Sequence, residues 1–60
     1  MFVNFADEEM TIVNAVFANR QTDPFWAYQD EIEWDDPRFQ AYYNGQGSYG
    51  QEMLRVLRDL

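Results

Sequence analysis

The sequence predicts a mainly α fold with a minor β element: an α+β chain of three to four short helices, with room for a two-stranded ribbon between residues 1–5 and 30–35. Three observations carry that expectation. Met10, Val13, Val16 and Phe17 recur at helical spacing behind Asp7. Asp23-Pro24 and Asp36-Pro37 each set a capping carboxylate before a proline at a first helical position, where the missing N–H does no harm. Tyr49, Met53, Val56, Leu57 and Leu60 form one apolar stripe behind Ser48.

Taken in order, the apolar residues Met1 to Phe5 read as a short strand. A helix over 7–19 follows, with Asp7 as its cap and Glu8 and Glu9 in a first turn where the helix dipole favours anions. Asn19-Arg20-Gln21 ends it. Asp23-Pro24 opens a short helix over 24–29, which passes into an extended segment, 30–35, where Tyr28, Ile32 and Trp34 alternate with Glu31, Glu33 and Asp35. Asp36-Pro37 starts a helix over 37–44 that carries Phe39, Tyr42 and Tyr43 on one side and stops at Asn44-Gly45. Ser48 to Gln51 reads as a capping box for the last helix, and Arg55 and Arg58 suit its negative C-terminal end. The expected core is Phe5, Met10, Val13, Phe17, Phe25, Tyr28, Ile32, Phe39, Tyr42, Met53, Leu54, Leu57 and Leu60.

Sixty residues make one domain, 1–60, and a chain this short hides only about 60% of its unfolded surface. With no Cys and no His, neither a disulfide nor a thiolate or imidazole zinc site supports the fold. Aromatic area must do so instead. Five Phe, two Trp and four Tyr supply it, and an aromatic content of 18% argues against a disordered acidic chain.

The same composition restricts function. Serine- or cysteine-type nucleophilic catalysis needs an activating base, usually His, and a carboxylate pair acting on a sugar needs a cleft that so short a chain has little room to form. The chain reads as a non-enzyme without a cofactor. Counted from Asp30, the helix-loop-helix calcium pattern fails, because its third and fifth positions are Ile32 and Trp34 and its sixth is Asp35 instead of Gly. No metal site is expected. Gly45, Gly47 and Gly50 lack the Lys of a phosphate cradle. The formal charge of −7 repels both phosphate backbones and anionic membrane surfaces, so neither nucleic acid nor membrane is an expected direct partner. No leader and no apolar span is evident, and the expected location is the cytoplasm of a host cell.

The charge has a centre. Between Tyr28 and Pro37 the chain carries Asp30, Glu31, Glu33, Asp35 and Asp36, five of its eleven carboxylates, interrupted only by Ile32 and Trp34. If this stretch is extended, side chains two residues apart stand about 6.6–6.8 Å apart on one face, close to two rises of about 3.4 Å along one strand of a duplex. A ladder of that spacing fits a groove built to hold phosphates. Glu8, Glu9 and Asp23 would widen it, while Trp34 and Trp26 would supply apolar anchors.

In size, charge, absence of Lys and Cys, and the cluster from Asp30 to Asp36, the chain resembles the small acidic DNA mimics of phages and mobile elements, the anti-CRISPR and antirestriction inhibitors. That resemblance is one of class and rests on no alignable motif. It implies a stoichiometric blocker of a basic nucleic-acid-binding protein, such as a CRISPR effector subunit or a nuclease. Two other classes fit the composition: an acidic adaptor or antitoxin binding through exposed aromatics, and a structural subunit of a viral assembly. A homodimer is compatible with each.

Overall fold

A computed structural model describes residues 1–59. It contains two helices and a three-stranded antiparallel sheet: β1 (Phe2–Phe5), β2 (Val13–Phe17), β3 (Gln29–Glu31), α1 (Pro37–Asn44) and α2 (Ser48–Arg58). The strand order is β2-β1-β3, with β1 in the centre. The fold is therefore a small α+β sheet-and-helix unit, not the three- to four-helix fold the sequence predicts.

The correction centres on residues 7–19, which form no helix. Asp7 does cap, but it caps a turn: its carboxylate accepts the N–H groups of Thr11 and Ile12 at 3.0 and 3.2 Å and the Thr11 hydroxyl at 2.5 Å. Met10 then adopts a left-handed φ of 59°, which breaks any helical path and costs a non-glycine residue about 1–2 kcal/mol. The β-branched Thr11, Ile12, Val13 and Val16 favour the strand that follows.

A β-bulge accounts for the helical spacing of these apolar residues. The register runs Phe2↔Phe17, Val3↔Val16 and Asn4↔Ala15, then shifts so that Phe5 faces Val13. A regular strand sends residues three apart to opposite faces, but the extra residue at Asn14 returns Val13 to the side of Val16. Both valines thereby pack with Val3 and Phe5. Asn14 is tied into the bulge, since Asn4 Nδ2 donates to its Oδ1 at 2.9 Å.

The connection from β2 to β3 replaces the expected helix over 24–29. Asp23 and Pro24 form a single turn, with the Phe25 N–H donating to Asp23 Oδ1 at 2.9 Å and the Trp26 N–H to Asp23 O at 3.0 Å. Gln29 clamps the connection: its Oε1 accepts the Gln21 N–H, and its Nε2 donates to the carbonyls of Gln21 and Trp26. Asn4, the buried polar side chain of the sheet, accepts the Tyr28 N–H. The ribbon expected between 1–5 and 30–35 exists only as the short pairing of β1 with β3, from Phe2↔Glu31 to Asn4↔Gln29.

Helix α1 has the bounds the sequence predicts. Asp36 accepts the Arg38 N–H, and Pro37 occupies the first turn. Helix α2 starts at Ser48, but Gly47 is its cap and no side chain caps it. Gln51 does not close a capping box; its Nε2 donates to the Tyr43 carbonyl and links the two helices.

The buried core is Val3, Phe5, Val13, Ile32 and Phe39. Val3 is absent from the expected set, while Met10, Phe17, Tyr42, Leu54 and Leu57 are only half-buried and Phe25, Tyr28 and Met53 are exposed. The expectation for Leu60 lies outside the described residues. Trp34 closes the core edge, its ring 4.8 Å from Phe39 and 5.3 Å from Tyr43.

Candidate partner-binding surface

The acidic run is split by the backbone that carries it. Asp30 and Glu31 are neighbours on β3 and so point to opposite faces of the sheet. Beyond Ile32 the chain turns, with the Asp36 N–H donating to Glu33 O at 3.1 Å. The extended segment thus ends far short of residue 35, and the evenly spaced ladder does not form. Glu33 and Asp35 sit exposed on the turn, and Asp36 belongs to α1.

Asp36 is answered by an arginine. Arg38 donates Nη2 to Asp36 Oδ2 at 2.8 Å and Nε to Oδ1 at 3.0 Å, and its Nη1 reaches the Met10 carbonyl at 2.9 Å. These bonds from the Arg38 side chain, and then from its backbone N–H, draw the Asp36 carboxyl down to about 2. The Arg38 guanidinium is raised in turn, chiefly by Asp36, with the charge of Asp30 a smaller contribution. Asp7 is held below the usual carboxylate range by the Thr11 hydroxyl first and then by backbone N–H groups.

The other expected site residues are dispersed. Glu8 and Glu9 lie in the β1–β2 loop, past the Phe5 end of β1, whereas Glu31 pairs with Phe2 at its opposite end, roughly 10 Å away at the rise of a strand. Asp23 lies on the long connection. Trp26 is half-buried, edge-on to Phe17 at 5.0 Å and beside Phe25 at 4.8 Å. Trp34 is a packing residue, not a free anchor.

Asp30, Glu31, Glu33 and Asp35 are what the run leaves exposed and without an ion pair among the described residues, with Asp30 on the opposite face of β3 from Glu31. Glu31 and Glu33 border an open groove of about 330 Å³ that is also lined by Phe2, Ile32, Trp34 and Leu57 and by Arg58, which stacks on Trp34 there. Among the described residues no three carboxylates converge as a metal site.

The cations explain this outward negative field. Arg20 lies over the Phe2 ring at 5.9 Å, Arg38 over Phe5 at 4.8 Å and Arg58 over Trp34 at 4.7 Å. Arg55 donates to the Tyr43 hydroxyl. All four arginines are therefore held against aromatic side chains of the same chain. Asp36–Arg38 and Asp59–Arg58 are the ion pairs among the described residues, so nine of the eleven carboxylates have none.

A second surface went unread in the sequence. The outward face of α2 exposes Tyr49 at 77%, Met53 at 50% and Val56 at 54%, all members of the predicted apolar stripe, with Met53 expected in the core. Leu54 and Leu57 supply its inward face instead. The signal was present: eleven residues carry two apolar stripes, and a short helix on a small sheet can bury only one of them. No helix of the described residues is long and apolar enough to cross a membrane. Comparison with protein-family models, with curated proteins and with solved structures gives no match to this chain.

Proposed function

We propose that this chain acts without turnover, as a stoichiometric binder that offers its carboxylates to a basic nucleic-acid-binding surface of another protein. In the form closest to the small acidic inhibitors it resembles, that partner is a CRISPR effector or a restriction enzyme. The observation that carries the reading is the use of the arginines: all four are turned onto internal aromatics, leaving nine carboxylates unpaired among the described residues. Such a field speeds approach to a cationic groove and excludes acidic partners.

Mimicry here would rest on the patch at Glu31, Glu33 and Asp35, not on a strand matched to the rise of a duplex. The test is titration against purified restriction enzymes and CRISPR effectors, with and without competing duplex DNA. Glu31→Gln, Glu33→Gln and Asp35→Asn together should abolish binding that DNA otherwise displaces. Binding that survives both the amide variant and excess DNA overturns the proposal.

An adaptor reading is favoured by one observation, Phe25, 69% exposed beside Trp26 on the β2–β3 connection. Under it, Phe25→Ala weakens partner binding more than the amide variant does.

A further inference from the structure

Before Ser48 the chain carries nine carboxylates against two arginines; from Ser48 onward it carries Glu52 and Asp59 against Arg55 and Arg58. The whole formal charge of −7 thus belongs to residues 1–47, and the segment carrying α2 is neutral. Two copies of so acidic a body repel one another over most approaches. The helix of this neutral segment is also the one whose apolar stripe, Tyr49, Met53 and Val56, faces solvent. Apolar area and absence of repulsion coincide on one element.

We propose that α2 is a self-association surface, on which a second copy of this chain packs its own α2 antiparallel about a two-fold axis near Met53. In that arrangement Met53 meets Met53, and Tyr49 lies beside Val56 of the second copy. Residues on one flank of an antiparallel helix face the same flank of the partner. Glu52 and Arg55 share a flank, since three positions along a helix turn through only about 60°. Glu52 of each copy therefore stands beside Arg55 of the other, and the symmetry makes the pair twice. Arg55 donates to Tyr43 through Nη1 and keeps further donors for this contact. The antiparallel dipoles add to the fit. Three apolar side chains per copy make a small interface, below about 1,200 Å² in total, so the dimer is of the transient kind.

The proposal stands apart from the partner reading above, because it concerns α2 and not the carboxylate patch. Its test is sedimentation velocity on the full chain across a concentration series, at physiological salt and at ~1 M, where the Debye length falls to about 3 Å. The expected result is a reversible dimer that grows with concentration and with salt. Met53→Glu and, independently, Tyr49→Asp should each weaken association by about tenfold or more, with the far-UV circular dichroism of the folded chain retained. Glu52→Arg and Arg55→Glu should each weaken it alone, and the double variant should restore it. A monomer at every concentration overturns the proposal, as does a dimer indifferent to Met53→Glu and Tyr49→Asp or a charge swap that fails to rescue.

Discussion

Helix α1 spans eight residues and buries Phe39 completely, whereas α2 spans eleven, is the more strongly patterned of the two, and buries no residue fully. Strength of amphipathic pattern and contribution to the core have come apart. The reason is position: α1 lies against β2, with Phe39 among the valines and Phe5, while α2 reaches the core mainly through Leu54. Phe39→Ala should therefore have the largest effect of any helix substitution. Emptying a fully buried Phe costs about 3–5 kcal/mol, against a total of about 3–9 kcal/mol for a chain of this length. The expected outcome is loss of the urea transition followed by circular dichroism. A cooperative transition of near wild-type midpoint would remove α1 from its central role.

Within α2 the comparison can be made one residue apart. Leu54→Ala, at a half-buried site facing the core, should cost about 1–2 kcal/mol, below the range for full burial, whereas Met53→Ala should stay within about 0.5 kcal/mol. Both are measured by denaturant unfolding in dilute solution, where self-association is negligible. Equal costs would mean that the outward stripe is part of the folding core.

The parts of this fold that could be read in advance are those fixed by neighbours in sequence. Asp36-Pro37 specifies the start of α1 through one side-chain cap and one fixed φ, and Asn44-Gly45 marks its end, so the expected and observed bounds agree. β2 could not be read the same way, because the bulge opposite Asn4 and Phe5 makes a strand imitate a helical period, and only the pairing with β1 reveals it. The exposure of Glu31, Glu33 and Asp35 was legible from charge alone. Their geometry was not: β3 stops at Glu31, and the turn that breaks the ladder depends on a hydrogen bond between Glu33 and Asp36. Arg38 stands only two residues from Asp36, yet the sequence reading pairs no arginine with the run, and the ion pair corrects it there.

The two helix starts differ as much as the two faces, which suggests a pH experiment. Asp36 has a folded-state carboxyl lowered from 3.8 to about 2. A depressed carboxyl adds stability that is present above its unfolded value and is lost as pH falls through the folded one. Thermal unfolding of the wild-type chain minus that of Asp36→Asn should thus show a constant excess at neutral pH that shrinks between about pH 4 and 2. Taking the difference removes the effect of neutralising the other carboxylates, which are the same in both chains. An excess that does not change with acid would detach the α1 cap from the Asp36–Arg38 pair.

Helix α2, by contrast, begins at Gly47 with no side-chain cap, and this gives the smallest effect and the finest test. Gly47 already has the extended cap geometry, φ −72° and ψ 172°, and a Cβ added there meets nothing within 4 Å. Gly47→Ser should therefore supply an acceptor for an orphan N–H of the first turn, worth a few tenths of a kcal/mol over glycine. It also removes backbone freedom from the unfolded chain, worth about 0.4–1 kcal/mol where the native φ and ψ suit the new residue. A net gain near 1 kcal/mol raises Tm by about 4–8 °C in a domain of this size. Because Leu54 and Leu57 tie α2 to the rest of the fold only by half-buried contacts, the gain should be felt by the whole fold only if those contacts keep the helix and the sheet in one cooperative unit. The expected outcome is a rise in Tm. If Tm does not rise while helical content does, α2 unfolds independently of the sheet, and the two helices differ in cooperativity as well as in burial.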